Sequence, residues 1–194
     1  MLFGNGAAIK LAKDYSFKTV LDIGSGPPQG VNAANFFKEL AKDVTRQDIN
    51  PDYKPDLLGD FNNLATDKLY DCIWCSHVLE HQLNVNHFLI KIFHTLKDNG
   101  VLAITVPPLK HEIVGGHVTL WNAGLLLYNL ILAGFDCKDA AVKSYGYNIS
   151  VIVNKRTAIL PELNYDAGDI NALNEFFPLK VYEGFDGKIE ELNW

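Results

Sequence analysis

Residues 20–26 read Val20-Leu21-Asp22-Ile23-Gly24-Ser25-Gly26, an apolar strand with a carboxylate near its end and then two glycines one residue apart. Glycines at that point let the backbone bend sharply and pass close to a ligand before a helix begins. A dinucleotide site asks for G-x-G-x-x-G, so that a pyrophosphate can sit on the helix N-terminus. Here Gly26 is followed by Pro27-Pro28-Gln29-Gly30, and the third glycine is out of register. Asp22 would also set a negative charge beside a phosphate. A cationic ligand without phosphate suits the loop better, although the glycines alone fit a plain structural turn equally well.

Short apolar strands alternate with amphipathic helices outward from this loop, the pattern of a parallel sheet covered on both faces. Strands are predicted at 18–23, 44–49, 56–61, 70–76 and 101–106, and helices at 31–42, around Phe88 to Leu96, and at 123–133. Segments 135–143 and 148–153 read as two further strands turned around Gly146. In the tail, a short helix is expected near 169–177 and a hairpin over 179–194 around Asp186-Gly187. The whole of 1–194 reads as one domain, with a core of about 15–155 and an extension over 156–194. The tail aromatics Phe176, Phe177, Tyr182, Phe185 and Trp194 are expected to cover the apolar helix at 125–132, with pairing to a second subunit as the alternative.

Two more acids stand at predicted strand ends. Asp48 closes the second strand, where a carboxylate can accept both hydroxyls of a ribose. Asp60-Phe61 closes the third, where an acid and an aromatic could hold an adenine. In an open α/β sheet such ends converge on one crevice. The chain therefore resembles a class I S-adenosylmethionine-dependent methyltransferase of the type 11 sort. The resemblance rests on residues 20–26, Asp48, Asp60, the run Tyr70-Asp-Cys-Ile-Trp-Cys-Ser-His-Val-Leu-Glu-His81, and the run Leu96-Lys-Asp-Asn-Gly-Val-Leu-Ala-Ile-Thr-Val-Pro107. It implies an α/β, Rossmann-like, doubly wound sheet of seven strands in the order 3-2-1-4-5-7-6, one of them antiparallel, with helices on both faces. It also implies S-adenosylmethionine as cofactor. Asp22, Gly24, Ser25 and Gly26 would lie by its methionine part, Asp48 and Ile49 by ribose and adenine, Asp60 and Phe61 by adenine, and Ser76 with His77 beyond the sulfonium. Pro28 stands where many members of the family have another glycine.

Methyl transfer needs an in-line approach of a nucleophile, and a neutral hydroxyl or amine benefits from a base. His77 and His117 are the candidates, from the end of the fourth strand and the loop after the fifth; His87 and His94 read as surface or packing residues. His77, Glu80 and His81 lie at i, i+3 and i+4, one face of a helix if one starts there. With His117 they resemble the Glu-x-x-Glu-His metal set, completed by a later His, of small-RNA 2'-O-methyltransferases; quinone O-methyltransferases share its first part. Trp121 fits that pattern, while His77 in place of the first glutamate moves the preference from magnesium towards zinc. A divalent metal is therefore a possible second cofactor. The alternative is that Leu79-Glu80-His81 only stabilises a helix start.

Seventeen basic and twenty-three acidic side chains leave a formal charge of -6, which argues against a nucleic-acid partner held through phosphates. Three cysteines make no disulfide framework and suit a reducing cytoplasm. Cys72 and Cys75 are read as buried thiols, because positions three apart on a strand face opposite ways. The most apolar stretch, 120–135, is too short to span a membrane, and no signal peptide is read at the start. The activity expected is O-methylation of a small-molecule or glycan hydroxyl. RNA 2'-O-methylation and a non-catalytic cofactor-binding scaffold are the rivals, and a nicotinamide oxidoreductase is disfavoured by the loop.

Overall fold

The structure, a computed structural model, describes residues 4–194. Eight strands make one sheet: β1 (Thr19–Ile23), β2 (Asp43–Asp48), β3 (Leu57–Leu58), β4 (Tyr70–Ser76), β5 (Leu96–Val106), β6 (Ala141–Tyr145), β7 (Asn148–Asn154) and β8 (Glu191–Leu192). Their order is β3-β2-β1-β4-β5-β7-β6-β8. Strands β1 to β5 pair in parallel, and β7 runs antiparallel to both β5 and β6. The seven-strand order that the family resemblance implies is present, and β8 is added outside it, antiparallel to β6. An eighth strand forms because β6 would otherwise leave unpaired N–H and C=O groups at an open edge.

Side chains alternate across this sheet with period two, so each strand feeds two cores. Val20, Cys72, Trp74, Val101 and Ala103 face α1 (Asn5–Asp14) and α2 (Ala33–Glu39), whose Leu11 and Phe37 are fully buried there. Leu21, Ile23, Ile73, Cys75, Leu102 and Ile104 face α3 (Val85–Thr95) and α4 (Ala123–Leu132). Cys72 and Cys75 thus lie in opposite layers. Burial also raises both thiol pKa values, which keeps them protonated and inert.

Several boundaries move. Asn32 caps α2 by accepting the Asn35 N–H, and Ala41 at φ 57° turns the chain soon after it, so the helix is shorter than 31–42. The third strand shrinks to two residues because Gly59, at φ 132°, leaves the extended region. β6 begins at Ala141 rather than 135, since a turn closed by Ala140 N–H on Cys137 C=O precedes it. The predicted tail hairpin does not form: Gly187 C=O accepts the Gly124 N–H, and the segment is spent on α4 instead of on itself. Phe185 packs against Gly124, Phe176 and Phe177 enter the core, and the short helix α5 (Asp169–Ala172) precedes them. Tyr182 stays exposed, and Trp194 lies near Tyr145 rather than over α4. No described helix is long and apolar enough to cross a membrane.

Candidate active site

The glycine loop leaves β1 with Gly24 at φ 66° and Gly26 at φ 64°, both left-handed. A Cβ on Gly24 would stand 2.3 Å from Val78 Cγ2, so the close approach itself requires glycine. A Cβ on Gly26 would meet nothing within 4 Å, so the loop opens there onto free space. β2 supplies the struts. Gln47 C=O accepts the Ser25 N–H at 3.0 Å, and Asp48 Oδ2 accepts the Gly26 N–H at 2.8 Å. The buried Arg46 guanidinium donates to Gly26 C=O at 2.7 Å, Tyr53 C=O at 3.1 Å and Lys54 C=O at 3.3 Å. Neither Arg46 nor Gln47 stands out in the sequence. Their signal is a charged residue and an amide at positions where a parallel strand expects apolar ones.

Asp22 lies across from Arg46 in the β1–β2 register and is 2% exposed. Its Oδ2 and the Ser25 Oγ are buried with no hydrogen-bond partner. Burial raises the Asp22 pKa to about 7; Arg46 and the Ala34 N–H pull it down, while Asp48 pushes it up. Asp48 already accepts the Gly26 N–H on one oxygen and the Asn50 N–H on the other. A carboxylate has about four acceptor sites, so capacity remains. Ile49 beside it is 70% exposed, an apolar side chain awaiting cover at a strand end. Asp60 holds a turn through Asn62 and Asn63. Phe61 departs from expectation: it is 3% exposed and edge-on to Phe88 at 5.5 Å, in the core rather than on the crevice wall. The β3 shortening explains this, since the chain has already turned inward when it reaches 61.

β4 ends at Ser76, and His77 follows at φ 57° with its N–H on Thr105 C=O. His77 Nε2 is 3.0 Å from Asn148 Oδ1, and Nδ1 is 3.3 Å from Glu80 Oε1. Asn148 Oδ1 also accepts the Gly4 N–H and its Nδ2 donates to Tyr145 C=O, so the amide orientation is set and His77 Nε2 is the donor. Both ring nitrogens therefore face acceptors. Burial lowers the His77 pKa, but the Glu80 and Asn148 hydrogen bonds and the Glu80 charge outweigh it, and the net shift is upward. The ring is thereby tied between Asn148 and Glu80 at the end of β4.

Residues 79–81 form one 3-10 turn instead of an α-helix start. Glu80 is fully buried, and its Oε1 is approached by two imidazoles, His77 Nδ1 at 3.3 Å and His81 Nε2 at 3.9 Å. Glu80, His81 and His117 offer ligand atoms within 4.8 Å of one another. His81 Nδ1 sits 2.7 Å from Gly116 C=O, which directs the proton to that nitrogen and leaves Nε2 for a ligand. His77 contributes from behind Glu80 and is not in this group of three. His87 and His94 are exposed.

The methyltransferase domain profile matches residues 7–129, and the chain belongs to that family. It is 30% identical over 106 residues to a ubiquinone biosynthesis O-methyltransferase of Rickettsia typhi, across 47% of this chain and 42% of that one. The same enzyme of Rickettsia conorii is 30% identical over 107 residues, across 50% and 37%. The aligned region thus spans less than half the length of these curated relatives. Among solved structures, Burkholderia thailandensis 1,6-didemethyltoxoflavin-N1-methyltransferase, with its substrate and S-adenosylhomocysteine, shares the fold at TM-score 0.61 and 19% identity, covering 79% of this chain and 77% of that one. Human N-acetylserotonin methyltransferase with its cofactor matches at 0.61 and 19%, covering 79% and 52%.

Proposed function

We propose that the protein transfers a methyl group from S-adenosylmethionine to a hydroxyl of a small molecule. The observation that carries this is the meeting, at one end of the sheet, of a strut-held glycine loop with the unpartnered Asp22 and Ser25. Open space over Gly26 and the bare Ile49 suit a ligand with a cationic end and an apolar ring. Asp22, Gly24, Ser25 and Gly26 would hold the methionine part, Asp48 and Ile49 the ribose and adenine, and Asp60 and Ser76 the margins. The bound cofactor supplies an electrophilic methyl carbon on its sulfonium. What the chain adds is positioning and removal of the acceptor's proton.

His117 is the base in this reading, on the loop over the same crevice; His77 orients Glu80. The donor set of Glu80, His81 and His117 also fits a divalent cation of the imidazole-preferring kind, because a buried carboxylate and two imidazoles offer ligand atoms within 4.8 Å of one another. Such an ion would lower the pKa of a hydroxyl beside it. The O-methylation is supported by the curated relatives, and the same donor set favours RNA 2'-O-methylation as a second reading, against the net charge of -6. We read 1–194 as one cytoplasmic methyltransferase domain with 156–194 as an extension, supported by β8 joining the main sheet.

Calorimetric titration with S-adenosylmethionine and S-adenosylhomocysteine tests the cofactor. Binding of both, followed by labelled-methyl transfer to phenols or sugars, is expected. Failure of either to bind would leave only a methyltransferase-shaped scaffold. Activity that survives exhaustive chelation would remove the metal from the reading.

A further inference from the structure

The loop after β5 and the turn between β6 and β7 enclose a cavity of about 200 Å³ that includes His117. Its lining carries the ammonium of Lys110 and the single acid Glu112, together with the imidazoles of His111 and His117. The other grooves differ. The one between α4 and the tail carries Asp166 and Glu183 with no basic residue, and the one over the β6–β7 turn sets Asp186 and Glu190 against Lys188. The cavity that adjoins the histidine cluster thus carries one lysine.

Lys110 is the fixed element of that lining. Its ammonium sits 4.5 Å above the Tyr147 ring and enters no ion pair among the described residues. Stacking on a ring orients the cation without neutralising it, so its charge stays available to a ligand. The remaining walls are apolar: Trp121 is buried at the base, while Ile113, Val118 and Leu120 at the rim are 98%, 54% and 51% exposed. Uncovered apolar side chains around a lysine that enters no ion pair match an amphipathic anion. An amine would face the like charge of Lys110.

We propose that the acceptor carries an anionic group, carboxylate or phosphate, on an apolar ring-sized body, and that Lys110 is the residue that selects it. The proposal rests on the methyltransferase reading and narrows it, from small molecule or glycan to aromatic or apolar anion.

Benzoate, phenyl phosphate, benzyl alcohol and benzylamine serve as probes, titrated by ligand-observed NMR into metal-depleted protein with and without S-adenosylhomocysteine. At least one anion is expected to bind saturably and about fivefold more tightly than benzyl alcohol, the upper range for one partly exposed ion pair. Benzoate ahead of phenyl phosphate assigns a carboxylate, and the reverse order a phosphate. Lys110→Met should abolish the preference and Lys110→Arg should retain it. Equal binding of neutral and anionic probes, no binding of either anion, or an unchanged preference in Lys110→Met would overturn the proposal. S-adenosylhomocysteine affinity is read separately: if it binds and the probes do not discriminate, only the anion proposal falls. If it fails to bind, the methyltransferase reading falls, and the cofactor-free titrations still judge the cavity.

Discussion

Cofactor binding should be linked to the ionisation of Asp22, and Asp22→Asn isolates that link. The carboxyl is 2% exposed and its pKa is raised to about 7, chiefly by burial. The charges facing it are Arg46 and Lys38, which favour ionisation, and Asp48, which opposes it. A cationic ammonium placed against Asp22 Oδ2 favours the ionised form, so binding must pull its pKa down. Affinity then follows the ionised fraction of the free protein, which climbs about tenfold from pH 6 to pH 8 and levels off above. At pH 7, binding should release about half a proton, because about half the sites must ionise. Calorimetry with S-adenosylhomocysteine in two buffers of different ionisation enthalpy measures that number directly. His77 titrates nearby with a raised pKa, but it is intact in Asp22→Asn and leaves its own contribution there. The variant should lose the proton release and bind about 1–3 kcal/mol more weakly at pH 8, the range for an unmet buried charge contact. A flat affinity in the native protein, or equal pH dependence in both proteins, would refute the placement of Asp22 against the ligand's cation.

Further substitutions probe the glycine loop, its strut from β2 and the far end of β1. Gly24→Ala forces a left-handed alanine and a 2.3 Å approach to Val78 Cγ2; the conformation alone costs about 1–2 kcal/mol. Denaturant unfolding should show at least that loss, and Val78→Ala should restore the part due to contact. Arg46→Met strands the carbonyls of Gly26, Tyr53 and Lys54, and is expected to cost about 2–4 kcal/mol together with cofactor affinity. Full affinity in a folded Arg46→Met would show that the loop holds its shape unaided. Asp71, held well below the usual carboxylate range by Lys97 and by the Thr19 and Lys18 groups, contributes stability above pH ~4 that fades as pH falls. Asp71→Asn should flatten the acid side of the stability profile, and an unchanged acid limb would speak against the bond.

The position of a residue was legible in the sequence where it follows from the residue's own element. Asp22, Gly24, Gly26 and Asp48 are at strand ends, and the strand order carries them to one crevice. It was not legible where a partner far along the chain decides. Asn148, remote in sequence, holds His77 Nε2 at 3.0 Å. Phe61 faces Phe88 because β3 stops early, which depends on Gly59 and on space under α3. Arg46 and Gln47 carry the loop from the neighbouring strand, and only the β1–β2 register brings them beneath it.

Periodicity and turn residues alone determined the alternation of strands and helices, the two-faced sheet and the glycine turn, because each depends on local backbone sterics and on which face a side chain presents. The tertiary structure alone decided what spans large separations. It set β8 against β6 at the sheet edge, the tail residue Gly187 against Gly124 on α4, and Glu80 with His81 beside His117. Such contacts depend on which open hydrogen bonds and apolar faces remain once the local elements have formed, and no local pattern encodes that choice.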